Sequence, residues 1–242
     1  MILHIPHSST NIEHIKIKKE SDNINLLTDL YTDELFSYKD ATSIVFPYNR
    51  MVVDVERFKD DPMEKHGKGY KYKTDFFGNT IERGSNLIFE SLYDGYHRKF
   101  NDIVRTYLTY FPIAFIVDCH SFPNESFPWE KNSVNRPDIC IGTSEHHTPV
   151  EVTDSLVKYF SNYGLKTEIN NPYNGTIIPS DFVNVSDEVK SIMIEINRSL
   201  YLDYKYNKND MFNDIKNMID GALRIIDEWT NETTEGFWGS LQ

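Results

Sequence analysis

Ile-Ala-Phe-Ile-Val-Asp-Cys-His-Ser, residues 113–121, is the stretch whose reading decides the fold. The apolar part follows Pro112 and gives way to polar residues at Asp118. Such a run does not alternate apolar with polar, so it predicts a strand buried on both faces, with helices on each side. Asp118, His120 and Ser121 then fall where the strand should end, and open α/β sheets place their ligands at the carboxyl ends of strands. An imidazole there, with a carboxylate two residues away, is either a metal ligand backed by that carboxylate or a structural hydrogen-bonded pair. The stretch alone leaves both open. Cys119 points to the opposite face under a two-residue alternation, which makes it a packing residue and not a nucleophile.

The flanking sequence supplies the rest of an α/β pattern. Residues 1–5 predict a short buried strand that ends at Pro6-His7-Ser8-Ser9. Residues 25–38 carry Leu27, Leu30, Tyr31 and Leu35 at helical spacing. Two short β-branched runs, 43–46 and 51–55, are separated by the turn signal Pro47-Tyr48-Asn49-Arg50. From 58 to 86 the pattern dissolves into a charged, glycine-bearing segment that also holds Tyr70, Tyr72, Phe76 and Phe77; a lid or insert with some order of its own is expected. A long helix follows over 87–110, with Leu92, Tyr96, Phe100, Ile103 and Tyr107 on one face. Beyond the central strand come a proline-rich connection (122–137), a strand (137–143) and a helix. Thr148-Pro149-Val150-Glu151 has the form of a capping box for that helix, which closes near Gly164. A weak strand over 165–169, a turn-rich loop over 171–176, a buried strand over 191–197 and a helix over 210–229 complete the chain. Strands alternating with helices predict a mixed, largely parallel sheet flanked by helices.

Composition narrows the function classes. The 242 residues suit one α/β domain, and no linker or repeat divides them, so a single domain over 1–242 is expected. The formal net charge of −12 argues against general nucleic-acid or anionic-membrane binding, both of which need a positive field. It also means that an anionic substrate must be held by a local cluster of arginine or lysine. No apolar run approaches the ~20 residues of a spanning helix. The first residues lack the basic and long apolar regions of a signal peptide. Two cysteines without a framework point to a reducing, cytoplasmic setting. The oligomeric state stays open. The many aromatic residues read as packing by large side chains.

Polar groups lie at or near the ends of four buried runs: His7, Glu56-Arg57, His120 and Glu195. Two histidines and a carboxylate, with a position left for water, make a catalytic zinc centre; a separate carboxylate near that water is the usual general base. An arginine nearby would clamp an anionic group bidentately. Each residue also has a plainer structural role open to it. His7 could cap or fill the core, Glu195 could pair with Arg198 or Lys190, and His4 reads as a satisfied core histidine. His146 and His147 precede a helix and read as solvated.

Pro-His-Ser at 6–8, Val-Asp-Val-Glu-Arg at 53–57, Tyr-His at 96–97, Asp-Cys-His-Ser at 118–121 and Ile-Glu-Ile-Asn-Arg-Ser-Leu-Tyr at 194–201 together resemble the N-formylglutamate amidohydrolase family. That family is similar in fold to the zinc carboxypeptidases and aspartoacylase-like deacylases, a phosphorylase/hydrolase-like α/β sheet. The resemblance implies Zn2+-dependent hydrolysis of the amide bond of a small acidic N-acyl amino acid, giving formate and glutamate for the named member. It implies His7 and His120 as metal ligands, with Asp29 the acidic ligand and Asp33 its fallback, because Thr10 stands where the carboxypeptidases have a ligating glutamate. Glu195 matches the general base. Arg57 matches the arginine of an Asn-Arg pair that holds the substrate carboxylate. Arg83 and Arg198 are candidates for a second cationic role, and His97 and Asn174 for substrate contact. Glu56 replaces the usual asparagine, and its charge beside Arg57 would weaken attraction for an acidic amino acid. Two rival readings are a zinc carboxypeptidase or amidase acting on peptides, cell-wall peptides included, and a non-catalytic binding protein that keeps the fold.

Overall fold

The central run does form a strand, buried along its whole length, in a computed structural model that describes residues 1–18, 20–130 and 135–239. In chain order the strands are β1 (Ile2–Ile5), β2 (Ile15–Lys16), β3 (Thr42–Val45), β4 (Glu82–Arg83), β5 (Ala114–Phe122), β6 (Ile139–Gly142), β7 (Thr167–Ile169) and β8 (Val189–Asn197). The helices are α1 (Glu20–Leu27), α2 (Thr32–Leu35), α3 (Asn86–Leu108), α4 (Val150–Asn162) and α5 (Phe212–Gly239). Six strands join in the order β3-β1-β5-β8-β6-β7. All neighbours are parallel except β6 against β8, so the sheet is mixed and largely parallel, as expected.

Alternation along β5 divides the core. Phe115, Val117 and Cys119 face one side with Ile192, Ile194 and Ile196 of β8, against Leu156 and Phe160 of α4 and Ile219, Leu223 and Ile226 of α5. Ala114 and Ile116 face the other side, against Tyr96, Phe100 and Val104 of α3. Burial of such side chains is worth roughly 1.5–3 kcal/mol each, so a strand covered on both faces is strongly pinned. Cys119 lies on the α4/α5 side, away from His120, and both cysteines are free thiols.

Four local expectations give way to tertiary demands. Residues 51–55 form turns instead of a strand, because Val52 N–H bonds to the Asn49 carbonyl (2.8 Å) and Met51 N–H to the Asn49 side chain (3.0 Å). A short apolar run says only that it is buried, not in which conformation. The helix expected over 25–38 breaks between α1 and α2, where Asp29 N–H bonds to the His7 carbonyl at 3.0 Å and Tyr31 takes φ +64°. The capping box before α4 does not form. Thr148 Oγ1 instead accepts from Ser144 N–H and donates to the Ser191 carbonyl, and Pro149 takes the N-cap position. His147 is buried, not solvated: its Nδ1 pairs with the Val189 carbonyl and its Nε2 accepts from Asn184 N–H.

The 58–86 segment has order of its own. It includes a 3-10 turn over Pro62–His66, a bridge between Thr74 and Thr80, and β4 paired with β2. Buried Lys68 bonds the carbonyls of Thr74 and Asp75 and lies 4.4 Å over the Trp129 ring. Of the connection expected over 122–137, residues 131–134 lie outside those described. Gly164 closes α4 with φ +76°, as a C-cap glycine does.

Gly142, at the end of β6, sets how closely the loop after β7 can approach. A Cβ there would sit 2.1 Å from the Gly175 carbonyl oxygen and 2.4 Å from Met193. Gly142→Ala is therefore expected to lower the Tm by at least about 2 °C, from an overpacking cost of roughly 1–3 kcal/mol. A thermal melt of the variant against the parent checks it.

Candidate metal centre and active-site cavity

The sheet brings the polar residues at the ends of its central strands together. His7 follows β1, His120 lies on β5 and Glu195 lies beside it on β8. In that parallel register His120 and Glu195 are direct neighbours with side chains on one face. Asp29, turned inward by the break between α1 and α2, completes the group. His7, Asp29 and His120 are all buried and could hold a metal ion: one ligand atom from each lies within 4.8 Å of the others. The two imidazole centroids are 5.1 Å apart. Asp33, the fallback, is exposed on α2.

The surroundings fit that donor set. His7 Nε2 lies 2.8 Å from Asp54 Oδ1, and His120 Nε2 lies 2.9 Å from Asp118 Oδ1. Each carboxylate accepts a ring N–H at Nε2, which turns Nδ1 of each ring the other way; the charged His120 donates from Nδ1 to Asp29, and deprotonation there would free a lone pair for a metal. Both Nδ1 atoms face Asp29 Oδ2, at 3.7 Å from His7 and 3.1 Å from His120. Two Nδ1 atoms and a carboxylate oxygen that meet in a buried space need a proton or a cation among them. A proton on His120 and the Arg50 guanidinium beside His7 meet that need here, and a metal ion would take their place. Carboxylate-backed imidazoles of this kind are the usual setting of a metal-ligating histidine. Arg50 also serves His7: its Nη2 lies 2.9 Å from Nε2 and closer to Nδ1, while its Nε stands 3.4 Å from Asp54.

The electrostatics follow from burial and pairing. Burial pushes Asp29 upward, but bonds from His120 and His7 and the charges of Arg198 and Arg50 outweigh it and hold Asp29 well below the usual carboxylate range. Burial likewise opposes charge on His120, and Asp118, Asp29 and Glu56 overcome it and hold His120 well above 6.5. Glu195 goes the other way. Burial, reinforced by Asp29 and only partly countered by His120 and the arginines, pushes it up to about 8. Its Oε2 is buried with no hydrogen-bond partner among the described residues. Arg198, the alternative partner for Glu195, is committed elsewhere. It donates to Asp29 Oδ1 (2.7 Å), the Ser121 carbonyl (3.0 Å) and the Leu26 carbonyl (2.9 Å).

A cavity of about 580 Å³ opens over this cluster. Asp29, His120, Glu195, Arg57 and Asn174 all line it. Arg198 lies buried beneath them and supports Asp29. Arg83 and His97 are not brought to the cavity. Arg83 donates to the Met51 carbonyl at 2.5 Å and lines a separate surface depression with Lys59 and Lys73. His97 packs against Tyr93 (4.3 Å) and Phe58, and burial lowers its pKa to about 4. His4, buried as expected, is more than filler: its Nδ1 shares Asp118 Oδ1 with His120, at 2.8 Å. Sequence reading missed Arg50, Asp54, Tyr72, Trp129, Arg136 and Tyr173. Arg50 and Asp54 do show the i, i+4 spacing of an ion pair, but nothing local connects them to His7, which lies more than forty residues earlier.

The model of the family described as N-formylglutamate amidohydrolase matches residues 1–202. The chain belongs to that family. Its members are, by that description, amidohydrolases. The fold agrees: the crystal structure of N-formylglutamate amidohydrolase from Ralstonia eutropha JMP134 superposes with TM-score 0.83 at 18% identity, over 96% of this chain and 94% of that one. The structure of gene product Atu2144 from Agrobacterium tumefaciens superposes with TM-score 0.63, also at 18% identity, over 94% and 91% of the two chains. No curated protein matches. Among the described residues no helix is long and apolar enough to cross a membrane.

Glu195 gives a signed expectation for stability. Its proton is held to about pH 8 in the folded protein and only to about 4.5 ordinarily. The stability this contributes is full below the ordinary value and is lost as pH rises through the folded one. In chelator-treated protein, Glu195→Gln should therefore gain in Tm relative to the parent between pH 5 and pH 8.5. Paired melts across that range decide it, and a constant difference would contradict the assignment.

Proposed function

We propose that the protein is a zinc-dependent hydrolase of the amide bond in a small N-acyl amino acid, acting on N-formylglutamate-like substrates in the cytoplasm. The observation that carries this reading is the meeting of His7, Asp29 and His120 beside a buried Glu195, on the wall of one cavity, whose Oε2 has no partner among the described residues. Membership of the family supports the reaction class.

His7, Asp29 and His120 would hold the ion through two imidazole nitrogens and one carboxylate oxygen. When bound, zinc supplies Lewis acidity and a water whose pKa falls from 15.7 toward ~7. Asp54 and Asp118 hold the two rings with Nδ1 toward Asp29, and Arg198 and Ser121 N–H hold the Asp29 carboxylate. With a cation beside it to offset burial and the charge of Asp29, Glu195 would be ionised; it then takes a proton from the attacking water as the water oxygen joins the acyl carbon. It passes that proton to the amine nitrogen as the C–N bond breaks, which balances the hydrolysis. Arg57 receives the substrate carboxylate, with Arg50 behind it, and the Asn174 amide offers a further hydrogen bond. The nucleic-acid and membrane classes remain disfavoured by net charge.

Glu195→Gln should abolish hydrolysis of N-formylglutamate while zinc stays bound; turnover that survives the substitution removes the assigned base. His120→Ala should lose zinc and activity together, and full zinc occupancy by elemental analysis would contradict its ligand role. Asp54→Asn should weaken zinc binding by about 10–100-fold in a competition titration, the usual cost of losing a carboxylate behind a ligating imidazole.

A further inference from the structure

The cavity does not look built for a substrate with two carboxylates. At about 580 Å³ it falls in the ordinary range of small-molecule cavities, so the charges and rings on its wall decide what it takes. Three arginines line it, and two are already engaged. Arg136 is bonded to Glu130, to the Tyr173 hydroxyl (3.2 Å) and to the Pro123 carbonyl (3.0 Å). Tyr173 in turn donates to Glu130 at 2.8 Å, so that end of the cavity is a closed, neutral network. Arg50 stands against His7 and Asp54. Arg57 differs: its ion pair with Asp61 is long, at 3.7 Å, and a third of its side chain is exposed.

The remaining charge on the wall is negative. Glu56 lines the cavity with Oε2 buried and without a hydrogen-bond partner among the described residues, 3.6 Å from His4 Nδ1 and 3.7 Å from His120 Nε2. Among the described residues, a second substrate carboxylate would meet Glu56 or Glu130 and not a spare cation. The uncharged wall is aromatic. Phe127 and Trp129 stack face to face, centroids 5.0 Å apart and planes 7° from parallel, with Phe76 edge-on behind both. Lys68 over the Trp129 ring fixes that pair to the 58–86 segment. Flat stacked rings offer a large apolar contact with little loss of freedom.

We propose that the preferred substrate is an N-acyl amino acid with a single carboxylate, held at Arg57, and an aromatic or bulky apolar group set against Phe127 and Trp129. This rests on the hydrolase reading above and names its substrate class. The family's named acidic substrate is then the poorer one.

The test compares N-formyl-L-phenylalanine with N-formyl-L-glutamate on the zinc-loaded full chain. The phenylalanine compound should lead by about tenfold or more in kcat/KM, the discrimination one apolar pocket contact supplies. Equal values, or a lead for glutamate, would overturn the proposal. Trp129→Ala should cost the phenylalanine compound about tenfold more than the glutamate compound, and Trp129→Leu gives the same comparison if the alanine variant folds poorly; an equal loss for both counts against the aromatic wall. Glu130→Gln should narrow the gap by releasing Arg136 from its charge partner, and an unchanged gap contradicts that neutralisation. If neither compound is hydrolysed, the hydrolase reading fails, and the substrate class is read separately by calorimetric binding to Glu195→Gln. Tighter binding of the phenylalanine compound there supports the proposal, and tighter binding of the glutamate compound sinks it.

Discussion

The buried carboxylate of Asp29 is the tie on which the site depends. One oxygen takes the Arg198 guanidinium, from the turn after β8; the other takes His120 and Ser121 N–H from β5. Its own amide bonds to the carbonyl of His7 after β1. One residue thus joins three separate stretches of chain, and its burial is tolerated because each oxygen has charged or N–H partners. Removal of that carboxylate would leave Arg198 buried without its counter-charge and His120 with Asp118 alone. The break between α1 and α2 follows from the same demand, since a continuous helix would bond the Asp29 amide to its own preceding turn.

A second layer of carboxylates orients the imidazoles. Asp54 and Asp118 have no access to solvent, yet burial fails to neutralise them, because each lies against imidazole partners that hold it below the ordinary range. Asp118 serves two rings through one oxygen and takes Ile177 N–H on the other at 3.0 Å. It couples the sheet to the loop that follows residue 176. Glu195 Oε2 has no such support among the described residues, a contrast that suits Glu195 to the proton-exchanging role proposed for it.

How much of this could be read from the sequence depends on whether the signal is local. β5 and β8 are legible because a long unbroken apolar run between polar flanks suits a fully buried strand, and α3 because its aromatic face repeats at helical spacing. His7, Asp29, His120 and Glu195 do gather at one place, as their order along the chain and the family resemblance had implied. Residues 51–55 mislead because burial without alternation fits a turn as well as a strand. Arg83 and His97 have suitable chemistry, but β4 and the outer part of α3 carry them away from the cavity. Arg50, Trp129 and Arg136 sit in loops whose course is set by contacts with distant residues, so composition gives no hint of their place in the wall.

The groups proposed to react and those proposed to select the substrate sit on different parts of the fold. His120 and Glu195 are fixed by adjacent fully paired strands at the centre of the sheet, whereas Trp129 and Arg136 ride on connections at its rim. Hydrogen exchange in such a molecule would open the rim long before the middle. Inheritance could therefore rewrite what the cavity accepts by exchanging loop residues, with the proton-handling centre left untouched.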